Sequence, residues 1–145
     1  AVAVEAFDLA KTEVTVGQYR MCVEAGACSE PPVYCGDVWQ VSGWTATPGA
    51  KENHALGCMT LVTAMEFVEW VGARLPEVIE WEYAAKNQGQ DILYPWGNQM
   101  WDETKANLFH GLQVHGPKEV CATPDGHTQL GVCDMAGHMY EFVYV

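Results

Sequence analysis

No apolar run in this sequence approaches the ~18 residues needed to cross a membrane as a helix, so no membrane span is expected. Basic side chains are scarce: seven Lys and Arg stand against 19 Asp and Glu, for a formal net charge of −12. Without a Lys/Arg cluster there is nothing to neutralise a phosphate backbone, which excludes nucleic acid as a partner. The cysteines form no CxxC and show no paired Cys/His spacing, so no zinc site is written into the chain. Internal repeats, low-complexity tracts and interdomain linkers are also missing. The first residues carry no signal-peptide pattern, and the expectation is a mature form or an excised domain.

What is present describes a folded, acidic protein. Of the 145 residues 49% are apolar, with six Trp, six Tyr and four Phe, enough to bury a core of one domain, residues 1–145. Cys22, Cys28, Cys35, Cys58, Cys121 and Cys133 form an even set. Three disulfides in an oxidising compartment follow, and hence a secreted, periplasmic or cell-surface location. Cys121 and Cys133 are the easiest pair to propose, because they are isolated from the other four and bracket a turn-rich loop; the remaining connectivity stays open.

"AVAVEAFDLAKTEVT" alternates apolar and polar residues and predicts one or two short strands. Thr15 is placed to cap a helix through "VGQYRMCVEA", with Tyr19, Cys22 and Val23 on one face and Gly26 at its end. Residues 29–54 show no sustained period and read as a long structured loop. In "TLVTAMEFVEWVGARLP", Ala64, Phe67, Val68 and Val71 follow helical spacing; Thr60 or Thr63 can cap, and Gly72 and Pro76 stop the helix. A further helix, "EVIEWEYAAK", follows Pro76; "YPWGN" is a turn; a strand is expected around Gln113 or Val120; and "HMYEFVYV" alternates like a strand. The fold class is therefore α+β, with two to three helices, short strands and long disulfide-tied loops.

Five of these stretches occur together: "KTEVTVGQY", "FVEWVGARLP" with "EWEYAAK", "YPWGN", "AN" at Ala106–Asn107, and "GVCDMAGHMYEFV". In that order and spacing the chain resembles the formylglycine-generating-enzyme (sulfatase-modifying factor) family, whose fold is a variant of the C-type lectin type. The loops "CVEAGAC" and "VCATPDGHTQLGVCDMAG" resemble a cysteine-rich, exported bacterial branch of it. The resemblance implies an oxidase that converts a sulfatase cysteine to formylglycine, using a copper-binding pair of reactive cysteines beyond the family's "GNVWEW" motif and an "RGGS" turn. Here that motif reads "GHMYEFV", with neither feature after it. The expectation is a domain lacking the C-terminal catalytic segment, with no catalytic residue among the six cysteines, and copper only where such a segment exists.

The resemblance also implies calcium, held by the side chains of Asp134 and Glu141 and the backbone carbonyls of Gly137 and Met139. Chemistry supports it: calcium takes hard oxygen donors from flexible turns. Alternation of the closing strand puts Glu141 on a face with Met139, Val143 and Val145, where an unpaired carboxylate is costly. The competing reading is a capping Asp134 and a Glu141 paired with Arg74 or Arg20. His110 and His115 have no third ligand and make no metal site. Trp70, Trp81 and Trp96 read as core; Trp39, Trp44 and Trp101, in loops, read as ligand contacts, together with His138 and Tyr140 beside the metal motif. Val62 and Met65 stand where relatives carry charge, and apolar residues at surface positions can mark an interface. The functional expectation is a non-catalytic, calcium-stabilised scaffold for a protein or small ligand. The alternatives are the N-terminal portion of an active formylglycine-generating oxidase and a diversified C-type-lectin-like ligand-binding module.

Overall fold

Local capping chemistry sets where the helices begin. Thr15 precedes α1 (Val16–Glu24) and accepts the Gln18 amide at 3.2 Å, while the Gln18 side chain accepts the Thr15 amide at 3.0 Å. Thr60 and Thr63 exchange the same pair of bonds at the start of α2 (Leu61–Trp70). α3 (Val78–Ala85) has Glu77 at its cap position, and the Glu77 amide donates to the Glu80 carboxylate at 2.8 Å. Among the described residues a single 3₁₀ turn (Pro124–Gly126) completes the helical structure. The computed structural model describes residues 3–35, 42–108 and 117–145; Trp39, His110, Gln113 and His115 lie outside them. The described residues group into two units, one of residues 13–35, 42–75 and 117–120, the other of residues 3–12, 76–108 and 121–145.

In the first unit, α1 buries Val16, Tyr19 and Cys22 completely. They pack with Cys28, Trp44, Leu56 and Phe67. Tyr19 stacks on Phe67 at 5.8 Å and meets Trp44 edge-on at 6.1 Å, and each such side chain contributes about 1.5–3 kcal/mol by leaving water. Trp44, expected as an exposed contact residue, is only 6% exposed. The reason lies in Arg20, whose guanidinium covers the indole at 4.7 Å. Arg20 also grips Glu52 with two hydrogen bonds of 2.8 and 3.0 Å and donates to the Thr45 carbonyl at 2.9 Å. That ion pair lowers the Glu52 pKa and raises that of Arg20, the mutual side-chain hydrogen bonds being the main cause. Cys22–Cys28 ties the end of α1 to the next loop, and Cys35–Cys58 closes a longer one of 23 residues. Closing a loop of that length stabilises by about 3 kcal/mol in the chain-entropy account.

The second unit is built on α3, where Ala84 and Ala85 pack against Met135, with Leu9, Trp81 and Val132 around them. Asn87, buried and in the left-handed region at φ 47°, joins two loops. Its amide donates to the Pro95 carbonyl at 2.8 Å, and its carbonyl accepts the Gln129 amide at 2.6 Å. The Tyr94–Gly97 turn forms as expected, with Tyr94 and Trp96 stacked at 4.9 Å. Gly126 packs directly on the Lys105 carbonyl, where any Cβ would collide. Cys121 and Cys133 form the third disulfide, the pair expected from the sequence.

Strands are the main departure. Among the described residues, pairing stops at four isolated bridges: Thr15 with Ala55, His54 with Glu119, Glu77 with Tyr144, and Tyr94 with Gly97. The N-terminal alternation yields no strand. The closing "HMYEFVYV" contributes one bridging residue, Tyr144, whose amide and carbonyl bond to Pro76 and Val78. Alternation marks a segment able to pair, but a strand needs a partner of matching length. No described helix is long and apolar enough to cross a membrane.

Candidate metal centre

The Cys121–Cys133 disulfide builds the candidate site. Joining position 121 to the residue before Asp134 brings the Cys121 amide onto the Asp134 carboxylate, Oδ2 accepting it at 2.6 Å. The Thr123 hydroxyl lies 3.4 Å from Oδ1. Asp134 is buried and sits at φ 56°, a left-handed conformation that aspartate tolerates better than most residues. Met135, also buried, anchors the next position in the core.

From Asp134 the chain turns sharply, with Gly137 at φ 78° and His138 at φ 62°. Gly137 is required twice over. A Cβ there would lie 2.9 Å from the Asn107 carbonyl oxygen and 2.6 Å from a Leu108 methyl carbon, and it would be strained at that φ. The Asn107 carbonyl accepts the His138 amide at 2.8 Å, so residues 107–108 form the floor of the turn. The His138 ring is buried, with Nδ1 3.9 Å from Asp134 Oδ2. It is therefore part of the turn's packing. Tyr140 is fully exposed.

Glu141 is exposed, contrary to the buried position that strand alternation predicts for it. Where no strand forms, alternation no longer assigns faces. Its carboxylate accepts the Trp81 indole N–H at 2.9 Å, so α3 orients it. Arg20, weighed above as a partner for Glu141, is held by Glu52. Trp101 is half-buried, its indole donating to the Ala106 carbonyl at 3.1 Å. The Trp81–Glu141, Asn107–His138 and Cys121–Asp134 contacts escape sequence reasoning. The cysteine spacing was the one signal pointing toward any of them.

By chemical type the four expected donors suit a hard cation; in the structure Asp134 is engaged by Cys121 and Thr123, and Glu141 by Trp81. Two carboxylates and the carbonyls of Gly137 and Met139 are all oxygen donors. A carboxylate offers about four acceptor positions, and two hydrogen bonds leave Asp134 with capacity to spare. Gly137 supplies a close-packed turn that no other residue would permit. Copper(I) does not fit: it calls for thiolates, and all six cysteines of this chain are spent in disulfides. Cys121, His127 and Cys133 also gather in one place, but with their two sulfurs joined they offer no thiolate.

A sequence model of the family described as Sulfatase-modifying factor enzyme 1-like domain matches residues 1–144. The chain is 29% identical to a hercynine oxygenase of Mycobacterium tuberculosis, across 97% of this chain and 38% of that protein. It is 28% identical to a formylglycine-generating enzyme of Thermomonospora curvata, across 77% and 44%. An inactive C-alpha-formylglycine-generating enzyme 2 of Bos taurus is 32% identical across 54% of this chain and 29% of its own length. The chain thus spans less than half the length of each of these relatives.

Proposed function

The chain belongs to the sulfatase-modifying factor enzyme 1-like family, and from that premise we propose that these 145 residues are an exported, calcium-organised binding scaffold with a C-type-lectin-like fold, not the family's redox centre. The observation that carries this reading is the state of the cysteines. Cys22–Cys28, Cys35–Cys58 and Cys121–Cys133 account for all six. A thiolate is the nucleophile and the copper ligand, and none remains for either role. Three disulfides are also what an extracellular or periplasmic domain uses to hold loops that secondary structure does not hold. Asp134 and Glu141, with the carbonyls of Gly137 and Met139, would hold the calcium. Bound there, it would offset negative charge and fix the turn against residues 107–108.

The test uses the chain with copper(I), oxygen and a peptide carrying a sulfatase-type cysteine, followed by mass spectrometry for the aldehyde. No conversion is expected; conversion by the chain alone would sink the scaffold reading. A second reading, the front portion of a longer formylglycine-generating oxidase, is favoured by the name of the Thermomonospora curvata relative and the 44% of it that the chain spans. The same assay on the full reading frame separates the two, because aldehyde formed there but not with this chain assigns the chemistry to residues outside it. For the binding role, a diversified ligand-binding module is distinguished by gene copies that differ mainly at positions such as Trp101 and Tyr140.

A further inference from the structure

α2 carries more apolar surface than its core uses. Phe67 is the one buried residue of the helix. On the opposite side Leu61 is 54% exposed, Val62 68% and Met65 48%. At about 100° per residue, Leu61, Met65, Glu69 and Val62 fall within roughly one quadrant of the helix, centred opposite Phe67. An apolar stripe on a free helix face marks contact with something else.

Beside the stripe is a hollow of about 340 Å³ lined by Ala27, Glu66, Glu69 and Trp70. Its walls are two carboxylates and an indole, with no basic side chain in the lining. One wall is held in place: the Glu66 oxygens accept the Ser29 amide at 2.8 Å and its hydroxyl at 3.1 Å. Ser29 is fixed in turn by the Tyr19 hydroxyl at 2.9 Å and by the neighbouring Cys22–Cys28 disulfide. Trp70 leans on Phe67 at 5.9 Å and is 38% exposed. Carboxylates around an indole suit a guanidinium or ammonium group, which lies over the ring while its N–H groups meet the acids. Neutral and anionic side chains gain neither contact. The net charge of −12 steers basic partners toward the chain.

We propose that this face of α2 docks a basic amphipathic segment of a partner protein. One Arg or Lys of that segment sits against Trp70 between Glu66 and Glu69, and its apolar residues lie along Leu61, Val62 and Met65. The proposal goes beyond the calcium-organised scaffold and uses none of its residues, so either can fail alone.

The probe is a fluorescent amphipathic helical peptide with Leu on one face and Arg beside it, and a sister peptide with Glu in place of Arg. Anisotropy titrations against the chain should show the Arg peptide binding, weakening as salt rises, and the Glu peptide binding at least about tenfold less well. Glu69→Lys and Met65→Asp should each weaken the Arg peptide by about tenfold. Both side chains are exposed, so melting temperatures should be unchanged. Equal binding of the two peptides, or affinities indifferent to both substitutions, overturns the proposal. So does a concentration-dependent dimer that Met65→Asp dissolves and the Arg peptide cannot compete away, which would assign the face to a second copy of the chain.

Discussion

Asp134 and Glu141 have unequal duties apart from any metal, so removing them one at a time separates structure from calcium binding. Asp134 accepts the Cys121 amide at 2.6 Å inside the protein. A hydrogen bond to a charged group contributes about 1.5–3 kcal/mol, and the Thr123 contact at 3.4 Å adds little. In Asp134→Ala the Cys121 amide loses its acceptor, and Ala is poorly suited to φ 56°. The sum is about 3 kcal/mol, or roughly 10 °C in Tm for a domain of this size. That loss should appear in EDTA, and in calcium it should be larger, because Asp134 is also one of the proposed calcium ligands. Glu141 is exposed and accepts the Trp81 indole N–H at 2.9 Å, and Gln keeps an oxygen for that bond, so Glu141→Gln should cost less in EDTA than Asp134→Ala. On the proposed calcium site, calcium at 100 times its Kd should add about 2.7 kcal/mol to the wild type, roughly another 8 °C, a rise that Glu141→Gln should forfeit. Calorimetric melts of the three proteins, each with calcium and with EDTA, give the pattern. A full calcium response in Glu141→Gln would refute a metal role for that carboxylate. An Asp134→Ala protein melting with the wild type in EDTA would refute the structural bond.

Gly137→Ala should lower Tm by at least about 5 °C, the combined effect of its left-handed φ and the closeness of Asn107 and Leu108; an unchanged melt would show that the turn is not built this way. Glu52 has a folded-state pKa below its unfolded value because of Arg20, so its contribution is present above the unfolded pKa and is lost as pH falls through the folded one. Wild type and Glu52→Gln should therefore differ in urea stability by about 2 kcal/mol at pH 7, with the gap closing below about pH 4; a gap independent of pH would exclude the ion pair as its source. Alkylation without reduction should label no cysteine, whereas three or more labelled thiols would contradict the disulfide set.

Features that depend on neighbouring residues were legible in the sequence. Thr15 and Thr60 announced α1 and α2 because a cap is settled within three residues. The helical spacing that found Phe67 and Tyr19 also found core, since one face of each helix is buried. Trp44 defeated the same logic: its loop has no period, and its burial depends on Arg20, 24 positions before it in sequence and reached only through the fold. Glu141 defeated it as well, because the alternation around it needed a paired strand to mean anything. One of its partners, Trp81, is 60 residues away. The contacts that orient the expected site residues could thus not be named from the chain. Those contacts run from Asp134 to Cys121, from His138 to Asn107 and from Glu141 to Trp81.

The cysteines connect the fold to the functional proposal, because a sulfur can be a staple or a thiolate but not both at once. Cys121 and Cys133 illustrate the choice. Their bond places the Cys121 amide on Asp134 and closes the loop that carries Thr123. Reducing it would free two thiols for chemistry and release the loop that positions the carboxylate. Redox activity at this pair and an ordered Asp134 turn are therefore alternatives within one molecule. In the structure the disulfide is formed and the Cys121 amide rests on Asp134.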